Sequence, residues 1–367
     1  MHTNEYLFPR RLTRRDFVKL TGAAAAGLAA PGCLSDKAER KPGVRIGSGK
    51  HTYEAVEDWG RLPAGMTYGY GCGVVVDSKD RVYVTSRSTN PCVAVFDRHG
   101  KLLETWSNDF ADKVGYTIEQ VKDTAHCIYW SKEGKSEFLY FTENASTNKA
   151  GPKLGKRVYK TDLHGKILYV IGNVDKEGST SQKFEWTNPT DVAVAANGDI
   201  YVVDGYGSQR FSRFDKNFKH IKTIGEKGKG HGQFNTCHGV WINTLKSEPE
   251  VFVADRHNDR IEVYSLELEY KRTLQGDVRN PCCFYQHRDK LYVPDLASRV
   301  TILDAEGKLV AHLGDGKQAD GKANQPDNKT NPGLFAAPHA MCVDSHGDLY
   351  VVEWVDFGRP RKFKHVT

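Results

Sequence analysis

The chain has 367 residues, 39% hydrophobic, 11% aromatic and 27% charged, a size and balance that allow a large buried core. Its formal charge is +6, of which residues 1–33 supply +3 through five basic and two acidic side chains. The remaining +3 is too weak for a nucleic-acid or anionic-membrane partner. Eight cysteines (Cys33, Cys72, Cys92, Cys127, Cys237, Cys282, Cys283 and Cys342) fit no zinc-ribbon or CxxC spacing. They are too few for a disulfide scaffold and leave room for one or two bridges. The 35 glycines and 17 tyrosines favour strands and turns over helices.

Residues 13–19 read Thr-Arg-Arg-Asp-Phe-Val-Lys, and an alanine-rich apolar stretch runs from Leu20 to Pro31. Paired arginines, a bulky apolar residue two positions on and a short apolar core resemble a twin-arginine export signal. The stretch is too short to span a bilayer comfortably. It ends in Ala30-Pro31-Gly32-Cys33, which has the form of a lipoprotein cleavage site. Lipidation of Cys33, the one membrane attachment expected, stands beside simple cleavage nearby. The mature chain is expected in the periplasm or cell envelope, as a monomer. Changing Arg14 and Arg15 together to lysine should hold the precursor in the cytoplasm on cell fractionation; unchanged delivery would refute the signal. Residues 34–50 are polar and lysine-rich and are expected to form a flexible tether, with a folded unit over 51–367.

In that unit one pattern recurs six times: an apolar strand, a turn with Asp, Asn or Gly, and a strand ending in Tyr-Val or similar. The second strands are Arg81-Val-Tyr-Val84, Phe138-Leu-Tyr-Phe141, Asp199-Ile-Tyr-Val202, Glu250-Val-Phe-Val253, Lys290-Leu-Tyr-Val293 and Asp348-Leu-Tyr-Val351. Hairpin turns follow at Asp97-Arg-His-Gly100, Asp162-Leu-His-Gly165, Asp215-Lys-Asn-Phe218 and Asp304-Ala-Glu-Gly307. Alternating apolar and polar residues mark strands. Six such units of about four strands predict an all-β, six-bladed β-propeller. The last unit lacks a clear fourth strand, and residues 52–62 are expected to supply it from the other end, which would remove a sheet edge. Stretches 144–156 and 315–332 read as polar loops. Gly225 to Gly232 (G-E-K-G-K-G-H-G) is followed by no helix pattern, so it reads as a connection between blades and not a phosphate loop.

Aligning the units on the first residue of each inner strand gives Cys72, His126, Thr190, His238, Cys282 and His339, in contexts such as Ala-His126-Cys-Ile, Cys-His238-Gly-Val and Pro-His339-Ala-Met. Histidine falls in blades two, four and six, which a six-bladed ring relates by about 120°. Three imidazoles converging on an axis with an open fourth position are the ligand set of a catalytic zinc; iron, copper or nickel accept the same ligands. Cys72 and Cys282 share the ring and could add thiolates. Just past the second strands stand Arg87, Tyr206 and Arg256, on the same face. Two guanidiniums and a phenol beside a metal can clamp a carboxylate and move a proton. Asp255, Asn258 and Arg260 read instead as repeat residues that tie loops.

Asp191-Val-Ala-Val with Val203-Asp-Gly-Tyr-Gly-Ser-Gln-Arg210, and His238-Gly-Val-Trp with Val253-Ala-Asp-Arg-His-Asn-Asp-Arg-Ile261, resemble the lyase domain of peptidylglycine amidating enzymes. So do Trp59-Gly-Arg-Leu-Pro63, Val76-Asp-Ser-Lys-Asp-Arg-Val-Tyr83 and Pro338-His339. The resemblance covers about residues 52–366 and is strongest to the bacterial branch. It implies a six-bladed propeller of NHL-type repeats with zinc on His126, His238 and His339. It also implies a catalytic Tyr206, substrate-binding Arg87 and Arg256, and a carboxylate-bearing peptide or small molecule as substrate. The family reaction splits a peptidyl-α-hydroxyglycine into an amide and glyoxylate. The chain departs from the family at three positions. The aspartate that binds structural calcium is Ala340, with carbonyls near Gly71 and Ile128 left to serve. Ala337 replaces a methionine, and Gly207 replaces a disulfide-forming cysteine. A non-catalytic exported propeller acting as a binding or scaffold module is the alternative class. A calcium-dependent lactonase is disfavoured by the histidine ring.

Overall fold

A computed structural model describes residues 43–145, 154–316, 333–356 and 359–366. The twin-arginine stretch, Cys33 and the start of the tether lie outside these residues, as do most of the two polar loops. Antiparallel four-stranded blades follow one another along the chain. Blade one is Gly71–Val76, Val82–Ser86, Val93–Phe96 and Leu102–Trp106. Blade two is Ala125–Glu133, Ser136–Glu143, Arg157–Thr161 and Ile167–Gly172, with Ser181–Lys183 added in parallel. Blade three runs from Asp191–Val194 to His220–Ile224, blade four from Cys237–Asn243 to Tyr270–Gln275, and blade five from Tyr285–His287 to Leu309–Leu313. Blade six takes Pro338–Val343, Leu349–Glu353 and Arg361–His365 from the end of the chain. Its fourth strand, His51–Val56, comes from the beginning and pairs with Arg361–His365. The inner strand of blade six lies against that of blade one, closing the ring.

Each blade is covered on both faces by its neighbours, so its inner strands can be apolar without alternation. All residues of Gly71–Val76 and Val82–Ser86 are buried. The cores lie between blades. Tyr83 and Trp106 of blade one pack with Phe141 and Tyr159 of blade two, and Tyr201 and Phe211 of blade three with Val253 and Tyr264 of blade four. The repeated Asp turn has one cause at every copy. The Asp97 carboxylate accepts from the backbone N–H of His99 and Lys101, both at 2.9 Å, and Asp162, Asp215, Asp304 and Asp344 do the same. The fourth turn residue then takes a left-handed backbone, with φ of 90° at Gly100 and 66° at Phe218, which glycine adopts without steric cost.

The carboxylate ending a second strand anchors the loop that leads to the inner strand. Asp204 accepts from the backbone of Thr187 and Asn188, and Glu353 from that of Ala336. Asp255 accepts from Asn235 N, Asn258 Nδ2 and Arg260 Nε. Arg260 then reaches the carbonyls of Lys229, Gly230 and Gln233, so the glycine-rich stretch 225–232 is a pinned connection between blades three and four.

Three expectations need correction. The tether over 34–50 ends early, because Arg45–Ser48 is the outermost strand of blade six, paired with His51–Val56. Ile46 is buried there, one apolar side chain that docks an otherwise polar segment. Two short helices, Asn108–Val114 and Ile118–Thr124, join blades one and two. The second starts in a capping box in which Thr117 and Gln120 bond reciprocally, a local signal hidden by the strand pattern around it. The seven described cysteines are free and buried, so no bridge forms among the described residues. No described helix is long and apolar enough to cross a membrane.

Candidate metal centre

The ring residues sit where the inner strands slip register. The pairing breaks between Gly71 and Gly73, between Ala125 and Ile128, between Cys237 and Gly239, and between Pro338 and Ala340. The unpaired residues include Cys72, His126, His238 and His339. Such bulges re-aim a side chain, here at the strand ends that open the channel. The strands converge closely at this level. A Cβ on Gly239 would lie 2.2 Å from the carbonyl oxygen of Cys282, so the residue after His238 has to lack one.

The three imidazoles are held alike. His126 Nδ1 lies 2.6 Å from the Thr190 carbonyl, His238 Nδ1 2.9 Å from that of Cys282, and His339 Nδ1 2.6 Å from that of Cys72. Each histidine thus bonds the ring residue of the following blade. A carbonyl only accepts, so Nδ1–H donates in all three and Nε2 carries the lone pair. Ring centroids are 5.0, 5.1 and 4.9 Å apart, close to an equilateral triangle. One ligand nitrogen from each ring lies within 4.8 Å of the others.

Electrostatics favour a cation acceptor set. The rings are 2%, 0% and 1% exposed. Burial lowers the pKa of each well below the ordinary imidazole value, to about 3 for His339; Arg256 pushes all three the same way, and Arg87 does so for His126 and His339. All three are therefore neutral at physiological pH. His126 Nε2 and His339 Nε2 are buried without a hydrogen-bond partner. An unsatisfied buried polar atom costs about 1–3 kcal/mol, and a metal ion bound to the lone pairs would remove that cost. Metal-binding histidines characteristically donate the other N–H to a carbonyl or carboxylate, the arrangement seen here, so the residues fit a three-histidine metal. Cys72 and Cys282 serve through their carbonyls. The Cys72 sulfur faces the Tyr70 and Ala125 oxygens, and neither sulfur joins the histidine group.

Tyr206 and Arg256 stand beside the ring. The Tyr206 hydroxyl is 3.0 Å from His238 Nε2 and 3.0 Å from Arg256 Nη1. The residue is 37% exposed, yet its hydroxyl reaches the fully buried His238. Burial raises its pKa to about 12, against the pull of Arg256. Arg87 bonds the Ala125 carbonyl at 3.2 Å and Asn144 at 3.4 Å. Its guanidinium lies 5.0 Å over the Trp354 ring, which in turn is 5.1 Å from His339. Among the described residues no carboxylate pairs with Arg87 or Arg256.

Asn144 and Trp354 are site residues that sequence reasoning missed. They follow Phe-Thr-Glu and Val-Val-Glu at the ends of the second strands of blades two and six. Arg87 and Arg256 occupy this position in blades one and four, so extending the alignment to every blade would have found both. At Gly207 a Cβ would fall 2.2 Å from that of Thr187, so no cysteine fits without movement. Ala340 presents a methyl group where the resemblance implies a calcium-binding carboxylate, and two thiols and a single carboxylate occupy the same level. Those donors do not fit calcium, which takes six to eight oxygens.

A family model described as "6-bladed beta-propeller" matches residues 178–345. NHL repeat-containing protein 3 of Homo sapiens is 30% identical over 221 residues, 59% of this chain and 58% of that protein. "Probable peptidyl-alpha-hydroxyglycine alpha-amidating lyase pgal-1" of Caenorhabditis elegans is 34% identical over 204 residues, 53% of this chain and 54% of that protein. The chain thus spans little more than half the length of these curated relatives. Among solved structures, a streptogramin B lyase superposes with a TM-score of 0.54 at 12% identity, covering 89% of this chain and 99% of that one, a likeness of fold. The chain is a six-bladed β-propeller of NHL-type repeats, distantly homologous to NHL repeat-containing protein 3 and to the amidating lyases.

Proposed function

We propose that the protein is a metal-dependent lyase that breaks the carbon–nitrogen bond of an α-hydroxylated amide bearing a carboxylate, as in a peptidyl-α-hydroxyglycine, giving an amide and glyoxylate. The observation that carries the reading is the Tyr206 hydroxyl, 3.0 Å from both His238 Nε2 and Arg256 Nη1 at the edge of three neutral imidazoles. His126, His238 and His339 would hold zinc or a similar ion, which would supply Lewis-acid chemistry toward the substrate's α-hydroxyl. The protein's own groups do the rest. Burial favours the phenol form of free Tyr206, so the cycle begins once its proton has passed to solvent, leaving a phenolate that Arg256 is placed to stabilise. The phenolate takes the α-hydroxyl proton, the carbonyl forms, and the C–N electron pair leaves on nitrogen. Tyr206 then returns the proton to that nitrogen, which restores the phenolate. The relatives among amidating lyases support the reaction class.

Arg87 and Arg256, which pair with no carboxylate among the described residues, are suited to hold the substrate's carboxylate and orient the C–N bond. A hydrogen bond to a charged group contributes about 1.5–3 kcal/mol. Arg87→Ala should therefore lower kcat/KM by roughly 10- to 100-fold, mainly through KM. A substrate without the carboxylate should not respond to the change, and equal losses on both substrates would refute the clamp. The reading itself is tested by glyoxylate release from a short peptide ending in α-hydroxyglycine. Metal-loaded protein should outpace the spontaneous reaction. Failure across a panel of α-hydroxy amides would leave a non-catalytic binding module.

A further inference from the structure

One residue beyond the histidine ring the inner strands form a second layer: Gly73, Cys127, Asp191, Gly239, Cys283 and Ala340 in blades one to six. Cys127 and Cys283 come from opposite blades and face each other across the axis with their sulfurs 3.9 Å apart. Asp191, from blade three, completes a group whose ligand atoms all lie within 4.8 Å of one another. The three residues are 3%, 6% and 8% exposed in chain order. The Asp191 carboxylate is fixed, accepting from Val192 N at 2.9 Å and Val240 N at 3.1 Å. The group lines a cavity of about 320 Å³ whose walls follow the inner strands away from the ring, past Tyr129, Trp241 and Tyr285. That cavity gives the layer a route separate from the histidine face.

We infer that Cys127, Cys283 and Asp191 form a second metal site, for a thiophilic divalent cation such as zinc, with its open position toward the cavity. The distance between the sulfurs supports this. Two thiolates bound about 2.3 Å from a tetrahedral zinc lie roughly 3.8 Å apart, whereas a disulfide needs about 2.05 Å. Donor chemistry agrees, since thiolates select soft or borderline ions over calcium and magnesium. Space agrees as well. Cys127, Asp191 and Cys283 all line the cavity, and Gly73, Gly239 and Ala340 add little side-chain bulk to the layer. The inference does not rest on the proposed lyase activity and uses none of its residues.

Cobalt(II) is the probe. Added to the full chain carrying His126→Ala, His238→Ala and His339→Ala, it should bind at about one equivalent and give intense thiolate-to-cobalt charge-transfer absorption. Adding Cys127→Ser and Cys283→Ser should abolish that absorption and lower bound metal by at least tenfold. If the double serine change unfolds the protein, as circular dichroism would reveal, the cobalt spectrum of the unmutated chain and that of Asp191→Asn decide instead. The unmutated chain should show the charge-transfer band, and Asp191→Asn should shift it. Absence of the band from both the unmutated and triple-alanine chains overturns the site. So does a Cys127–Cys283 disulfide found by peptide mapping of the purified protein, or retention of the band after both serine changes.

Discussion

Changing His126, His238 or His339 to alanine should remove about one equivalent of metal from the purified protein, as elemental analysis will read. In the proposed site each ring would supply one of three ligands, on a lone pair that burial keeps unprotonated. Even outer-sphere partners of a metal are worth 10- to 100-fold in affinity, so losing a direct ligand should exceed that. The structural cost is smaller. Each change deletes one Nδ1–H bond to a neighbouring blade, a net contribution of about 0.5–1.5 kcal/mol, and removes a buried ring. Folding is expected to survive, with a lowered Tm. His231 and His287 are the controls. His231 is largely exposed and stacked on Tyr270, and His287 ends the inner strand of blade five at the end away from the ring residue Cys282, so alanine at either should leave metal content unchanged. Equal metal in the parent and the triple alanine variant would end the proposal of a histidine-bound metal.

The reach of sequence reasoning followed what a repeat can encode. Tyr83, Tyr140, Tyr201, Phe252, Tyr292 and Tyr350 recur at one register position. That register fixes which residue opens each inner strand, so the alternate-blade histidines were legible by counting. Closure by His51–Val56 was legible too, because a missing strand leaves an edge that must be covered. Contacts made across the axis were not. That Nδ1 of each ring bonds the next blade, leaving Nε2 inward, depends on bulges that a linear pattern does not display. The layer of Cys127, Asp191 and Cys283 shows the same blindness. The three positions are adjacent in space because each follows a ring residue, yet nothing in their separate contexts links them. Arg45–Ser48 and the helix at Ile118–Thr124 were lost for a different reason. Their signals, the lone Ile46 and the Thr117–Gln120 box, are local and lie outside the repeat that organised the reading.

Phenylalanine at position 206 should cut turnover of an α-hydroxyglycine peptide by about 10²- to 10⁴-fold, the usual worth of a positioned proton acceptor. The substitution isolates the oxygen. The ring's edge contacts with His126 and His238, both at 5.3 Å between centroids, and its place beneath the Arg256 guanidinium at 5.1 Å involve carbon atoms that phenylalanine keeps. Removing the hydroxyl also takes away a donor that occupies the His238 lone pair, so metal affinity should hold or rise. In the proposed site Arg87 and Arg256 would still grip the carboxylate, and KM should change little. The expected signature is a fall in kcat with KM, metal content and Tm near the parent values, a combination that loss of folding or of metal would not produce. Arg256 loses its contact with the Tyr206 oxygen in the variant, so restoring a base from solution is not expected to recover the full rate. A loss below about tenfold in fully metal-loaded protein would show that the proton goes elsewhere, and the assignment of Tyr206 as the acceptor would fall with it.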